Sequence, residues 1–403
     1  MRAWWQPRGV LRRFTFDLLA DEMARHRRAT IPHAGLWRDD LRLDADLGVD
    51  SLELMTLATA LAEALHLGES GIEDYLLARR TLGDWVDIAG AGLERFNARL
   101  TFRTSGSTGQ PKPCVHEMAT LVQEVQHLAT LFPGRTRVLC AVPAHHIYGY
   151  LFSVLLPHEL GLCAEDVVDL RGSTPAWLAR GARPGDLVVG HPEFWSAVGR
   201  TVSRMPADVV GVTSTAPCAD AVCEAVEAAG IARLVQVYGA SETAGIAARA
   251  SHREPYTLFP YWGLRGDVLV RTMTDGTERI FPGQDHLQAC GDRQLRIGPR
   301  LDHAVQVGGI NVFPSRVREV LKRHPLVQDA AVRLMRPDEG TRLKAFVVPR
   351  PDVTARDALL EQLQAWIASE LTTPERPKAI HLGDALPLSA TGKLVDWDLS
   401  RSA

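Results

Sequence analysis

From about Phe14 to about Ile88, leucines recur at three- and four-residue spacing and β-branched runs are scarce, a pattern that predicts short helices joined by loops. The texture changes near Leu100. Apolar runs such as Val138–Val142 and Leu187–Val189 alternate with helical stretches and Gly/Pro turns, which predicts α/β layering. After Asp302 a third pattern predicts a helix over 315–322, strands over 329–334 and 343–348, and a helix near 358–371. The expected organisation is therefore multi-domain. A small helical domain over 12–88 precedes an α/β body over 98–301 and a compact, mobile α+β domain over 302–403. No internal repeat or low-complexity tract interrupts this division.

Length and composition agree with it. At roughly one domain per ~150 residues, 403 residues predict two or three domains. Hydrophobic residues at 46% and charged residues at 23% exclude a disordered chain. The 45 Lys+Arg against 48 Asp+Glu leave a net charge of −3, so no cationic field exists to hold nucleic acid. No apolar run approaches the ~18 residues of a membrane span. Six cysteines lie in separate segments with no C-x-x-C pair, which predicts a reducing, cytoplasmic setting without zinc or disulfides.

Within the helical segment, Asp50-Ser51-Leu52-Glu53 ends a loop and opens a helix whose apolar stripe continues through Leu61 and Leu65. Asp50 is placed to cap that helix, with Glu53 nearly completing a capping box. A phosphodiester on the Ser51 oxygen would meet free N–H groups and the positive end of the helix dipole. Alone, such a string is an ordinary helix start. Leu47-Gly48-Val49-Asp50-Ser51-Leu52, however, resembles the attachment motif of the acyl or peptidyl carrier proteins, a likeness covering about seventy-five residues. The resemblance implies a small four-helix bundle whose Ser51 receives 4′-phosphopantetheine from a phosphopantetheinyl transferase.

The body opens on Thr104, Ser105, Gly106, Ser107, Thr108, Gly109, Gln110, Pro111 and Lys112. Hydroxyls, glycines and a lysine this close together can offer a polyphosphate both hydrogen bonds and a cation. Gly106 and Lys112 are wrongly spaced for a Walker loop, which argues against a P-loop NTPase. The string resembles the signature loop of the adenylate-forming superfamily of acyl-CoA synthetases, aryl-acid ligases and adenylation domains. Four further motifs follow in that family's order. Pro143-Ala-His-His146-Ile-Tyr-Gly149 is similar to its substrate-side motif, and Tyr238-Gly239-Ala240-Ser241-Glu242-Thr243 to its Y-G-x-[ST]-E motif. Gly298-Pro-Arg300-Leu-Asp302 resembles the hinge motif with one residue inserted, followed by Gly308-Gly309, and Leu386–Lys393 resembles the terminal lysine motif.

The resemblance implies residue roles. Joining a carboxylate to the α-phosphate of ATP brings two anions together, and cations and N–H donors must offset the charge. Lys393 would do so in the first step, Glu242 would hold Mg²⁺, Ser241 would face the α-phosphate, and His146 would serve the acid side. Thr215, Ala216 and Pro217 fall where the family builds its adenine wall. Asp285 falls where it binds ribose, preferred over Asp292 because it precedes Arg300 by the family's usual interval. Arg300 would touch ribose or phosphate. Asp302 would be the pivot of the mobile domain, and Gly308 and Gly309 would border the thiol channel.

The sequence also departs from the family. Members usually carry a large subdomain before the phosphate loop, whereas about fifteen residues separate the carrier-like segment from it here, so a body truncated on its N-terminal side is expected. The family's T-G-D triplet reads Gly283-Gln284-Asp285, and Gln306 replaces a frequent lysine. The function expected from all this is AMP-forming activation of an aryl or fatty acid using ATP and Mg²⁺, with transfer to a phosphopantetheine thiol at Ser51. Two alternatives stay open: a ligase using free coenzyme A, and a carrier scaffold with a non-catalytic ligase body. Expected partners are a small carboxylic acid, the pantetheinyl transferase, and coenzyme A or a downstream ketosynthase-type enzyme. Ile147–Leu151 offers no aspartate to grip an α-amine, which argues against amino acids as substrates.

Overall fold

A computed structural model of the chain describes residues 3–105, 111–266, 268–301, 304–353, 355–388 and 394–398. The chain divides into two compact units, the first built mainly from residues up to Leu301 and the second mainly from those after it.

The first unit begins with four helices: α1 (Arg8–Arg27), α2 (Ser51–Leu65), α3 (Tyr75–Ala78) and α4 (Leu82–Arg95). Asp50 caps α2 by accepting from the Glu53 N–H at 2.8 Å, and Thr81 caps α4 by accepting from the Asp84 N–H at 3.1 Å. Next, β1 (Arg99–Ser105) and β2 (Pro111–Glu117) pair as a two-stranded sheet leading into α5 (Met118–Leu131). The main sheet follows, from β3 (Arg137–Cys140), β4 (Val167–Asp169), β5 (Asp186–Gly190), β6 (Val210–Thr213), β7 (Arg233–Ala240), β8 (Ala244–Arg249) and β9 (Tyr256–Leu258). β10 (Trp262–Arg265), β11 (Val268–Thr272) and β12 (Glu278–Pro282) form a separate three-stranded sheet, after which β13 (Asp285–Gly291) and β14 (Gln294–Arg300) rejoin the main one. The main sheet has nine strands in the order β13-β14-β9-β8-β7-β6-β5-β3-β4. β4, β3, β5, β6 and β7 run parallel, and the rest pair antiparallel.

Side chains alternate across a strand, so the continuous apolar runs of β3 and β5 serve two faces. Leu139 and Val188 pack with Trp195, Val198 and Val226 from the helices that follow β5 and β6. Val138, Leu187, Val189, Val210 and Val212 join the opposite core, which also contains Phe14 and Leu19 of α1, Leu57 and Leu61 of α2, and Trp85 and Val86 of α4. The separate helical domain expected over 12–88 differs from this arrangement. An open parallel sheet exposes two greasy faces, and the N-terminal helices belong to the core on one of them. Polar contacts reinforce the join: the buried Asp17 carboxylate of α1 accepts from the Ala144 N–H at 2.7 Å and from Arg171 at 2.7 Å.

The second unit contains the hairpin of β15 (Val305–Val307) and β16 (Ile310–Val312), turned by Gly308 and Gly309, both at positive φ. A helix over Pro314–Lys322 packs on the sheet of β17 (Val327–Leu334), β18 (Leu343–Pro349) and β19 (Ala379–Leu382), joined by a helix over Arg356–Glu370. Lys344 of β18 is fully buried and paired to Glu339 at 2.7 Å and Asp396 at 2.9 Å.

Candidate active site

Ligands of open α/β sheets bind outside the carboxyl ends of the parallel strands. Three of the sequence motifs of the first unit meet that condition. Thr213–Pro217 leaves the end of β6, Tyr238–Thr243 spans the end of β7, and Pro143–Gly149 follows β3. Thr215 holds φ +77°, a strained backbone for a β-branched residue, at the position read as adenine wall beside Ala216 and Pro217.

The Tyr238 hydroxyl donates to the Asp285 carboxylate at 2.8 Å. Burial and the neighbouring Asp285 charge hold the phenol well above its ordinary range, so it stays a donor. Asp285 faces Arg300 across the β13–β14 hairpin, and the Arg300 guanidinium donates to Gln284 at 3.1 Å. The fifteen-residue interval is thus the length of one hairpin, and Asp292 lies at its far turn. Of these residues, the structure brings Tyr238, Asp285 and Arg300 to one end of the sheet.

Ser241 and Glu242 sit in the turn between β7 and β8. Gly239 has to be glycine here, because a Cβ would come within 2.1 Å of the Ala244 carbonyl oxygen. The Ala240 N–H donates to the Thr243 hydroxyl at 3.1 Å, closing the turn from inside. Residues that the motifs do not include hold it from outside. His116 Nε2 lies 2.7 Å from the Ser241 carbonyl, Glu124 accepts from the Gly245 N–H at 2.8 Å, and Arg271 donates to the Thr243 carbonyl at 3.3 Å. Burial pushes the Glu124 carboxyl up to about 8, against the opposing pull of Arg271 and the Gly245 N–H. Sequence reasoning missed all three, since a lone His, Glu or Arg in a helical or strand pattern carries no signal of its own.

Pro143–Gly149 folds back on itself, and a Cβ on Gly149 would sit 1.9 Å from the Pro143 carbonyl oxygen. The His145 and His146 rings lie tilted at 40° with 4.2 Å between centroids, and His145 Nε2 lies 3.6 Å from Asp21 of α1. Burial lowers the His146 imidazole to about 3, so it is neutral and can accept or donate one hydrogen bond. Asp21, His145 and His146 could together face a metal ion, but Arg25 already holds the Asp21 carboxylate at 2.5 Å. Tyr148 is buried and its hydroxyl lies 3.0 Å from the carbonyls of both Gly190 and Val212, tying the motif to the ends of β5 and β6. Tyr150 and Phe152 are buried in the core.

Ser51 is exposed at the first turn of α2, beside exposed Leu52 and Met55. Lys112 is exposed on β2, whereas Gly106, Ser107, Thr108, Gly109, Asp302 and Lys393 lie outside the described residues. Thr104 and Ser105 end β1.

The model of the AMP-binding enzymes matches residues 100–265, and that of the AMP-binding enzyme C-terminal domain matches 317–393. The chain belongs to the AMP-binding enzyme family. Among relatives of this AMP-binding enzyme, a 4-coumarate–CoA ligase of Cereibacter sphaeroides is 41% identical over 366 residues, covering 89% of this chain and 86% of the relative. A 4-coumarate–CoA ligase of Rhodobacter capsulatus is 38% identical over 400 residues, covering 96% of this chain and 100% of the relative. The fold is shared with an o-succinylbenzoate CoA synthetase from Bacillus subtilis, at TM-score 0.60 and 16% identity, covering 94% of this chain and 91% of that one. At 96% coverage of this chain, the match to the Rhodobacter capsulatus relative takes in most of the segment 12–88. No described helix is long and apolar enough to cross a membrane.

Proposed function

We propose that this AMP-binding enzyme activates an aryl carboxylic acid as its adenylate and transfers the acyl group to the thiol of free coenzyme A. In the first step a carboxylate oxygen attacks the α-phosphorus of ATP, forming a P–O bond as the bond to the β-phosphate oxygen breaks and pyrophosphate leaves. In the second the coenzyme A sulfur attacks the acyl carbon, the C–O bond to AMP breaks, and the thiol proton passes to solvent. The observation carrying the reading is the Tyr238–Asp285 hydrogen bond at the carboxyl ends of the parallel strands, beside Arg300. It offers a nucleoside a ribose-binding carboxylate and an aromatic face in the place where such sheets bind ligands. Glu242, on the neighbouring turn, would hold Mg²⁺, which supplies charge neutralisation of the phosphates when bound. Lys393 would neutralise the incoming carboxylate, and His146 would line the acid side. Thr104, Ser105 and the loop through Lys112 would cradle the phosphates. Asp302, Gly308 and Gly309 would serve the change between the two steps.

The names of the two relatives favour a 4-coumarate-like acid and free coenzyme A over a carrier thiol. A second reading, loading of 4′-phosphopantetheine on Ser51, is favoured only by the exposure of that serine at a capped helix start with Leu52 and Met55 beside it. One experiment separates them. Purified protein, pretreated with a phosphopantetheinyl transferase and coenzyme A, is given Mg·ATP, a panel of aryl and fatty acids, and coenzyme A, with pyrophosphate and thioester measured. The expected result is aryl-CoA formation that Ser51→Ala leaves unchanged and Glu242→Gln lowers by about 100-fold. Intact-mass detection of an acylated pantetheine on Ser51, with no coenzyme A product, would replace this reading with the carrier one.

A further inference from the structure

His116 lies on β2, four residues beyond Lys112, yet its ring reaches the turn between β7 and β8. It is buried at 5% exposure, packs edge-on against Phe102 of β1 at 5.8 Å, and places Nε2 at 2.7 Å from the Ser241 carbonyl oxygen. A carbonyl only accepts, so Nε2 carries the proton and the ring is the donor. Burial lowers the imidazole, against the opposing pull of the Ser241 carbonyl to which it donates.

The turn it grips carries Ser241 and Glu242. The Thr243 hydroxyl, Arg271 and Glu124 fix residues 240, 243 and 245 from other directions, and His116 takes the apex at Ser241. We infer that His116 is a positioning residue for the nucleotide end of the site, a strut from the strand after the phosphate loop to the turn that presents Ser241 and Glu242. This inference rests on the functional reading above, in which that turn meets the α-phosphate and magnesium. It predicts a selective defect. Loss of the donor frees the turn and weakens Mg·ATP, while the acid and coenzyme A sites, built from other segments, keep their affinities.

The test uses the full-length protein with three substitutions. His116→Phe keeps a ring against Phe102 and removes the donor, His116→Gln returns an amide near the position of Nε2, and His116→Asn returns one too short to reach Ser241. Expected for the Phe and Asn variants is a rise of about tenfold in KM for ATP and in the Mg²⁺ concentration for half-maximal rate, with KM for acid and coenzyme A within about twofold. His116→Gln is expected within about threefold of the parent on every parameter. Mg·ATP affinity by calorimetry gives a readout independent of turnover, and if His116→Phe fails to fold the Gln–Asn pair carries the comparison. Unchanged ATP parameters in the Phe or Asn variant overturn the inference, as does a Gln variant as defective as the Asn one. A parent protein that binds no Mg·ATP overturns the functional reading itself and the inference with it.

Discussion

Two residues near the site carry physical consequences out of proportion to their visibility in the sequence. Glu124 is fully buried with its carboxyl pushed up to about 8, so the folded chain holds a proton there that the unfolded chain releases in the ordinary carboxylate range. The unfolded state therefore binds fewer protons between those limits, and stability falls as pH rises toward about 8, by roughly 1.4 kcal/mol per unit. Glu124→Gln keeps an acceptor for the Gly245 N–H and cannot ionise. Urea midpoints measured at about pH 5 and about pH 8 are expected to show a gap in favour of the variant that widens at the higher pH. Gly149 makes the opposite kind of demand, on space. Its absent Cβ leaves room for the Pro143 carbonyl oxygen, which an alanine would meet at 1.9 Å. Gly149→Ala should cost about 1–3 kcal/mol, read as a lower urea midpoint, and should move His146 with the backbone. A normal midpoint together with a normal KM for the acid would sink that account.

Among the elements, α1 matters most, because its side chains reach the loop after β3. Asp17 takes hydrogen bonds from the Ala144 N–H and Arg171, and Phe14, with Trp4 from the turn before the helix, packs edge-on against Tyr150, at 5.8 and 5.2 Å. Asp17→Ala leaves Arg171 with Asp169 alone and a backbone N–H unpaired in a dry place, and is expected to cost about 3 kcal/mol in chemical denaturation. It should also weaken acid binding through the Pro143–Gly149 loop. The hairpin of β13 and β14 shows how far a spacing in sequence translates into geometry. Asp285 and Arg300 pair across it because an antiparallel ladder returns the chain to its start, so the interval is the length of the hairpin, two strands and a turn, and not a chemical distance. In the second unit, Lys344 holds Asp396 and Glu339 from a position with no access to water. Lys344→Met should leave the two carboxylates to Arg336 and loosen the segment 394–398, which limited proteolysis followed by mass spectrometry would detect.

At the scale of the molecule, the N-terminal helices look like an added domain only when read alone. Their leucine spacing and the Asp50–Ser51 cap satisfy every local rule for a small bundle, and those rules say nothing about what the outer apolar face packs against. The core that joins Phe14, Leu57 and Trp85 to Val138, Leu187 and Val210 on β3, β5 and β6 supplies that answer. A chain shortened to start at residue 98 is therefore expected to be insoluble, because one face of its sheet loses its cover; sedimentation of the expressed fragment checks this.

The family and the order of its motifs are legible in one dimension. Glycines, hydroxyls and charges at fixed spacings are local chemistry, and local chemistry needs no fold to be seen. The α/β texture is legible for a related reason, since continuous apolar runs of four or five residues require a sheet covered on both sides. Which helices supply that cover is settled only by packing in three dimensions, and with it the fact that the segment 12–88 shares a core with the body. Packing also brings His116 and Glu124 to the turn holding Glu242, across 125 and 121 residues of sequence, and adds Arg271 from β11. The reason is the same in each case: burial and contact depend on what lies across the core, and a periodic pattern reports which side of an element is apolar but not its partner.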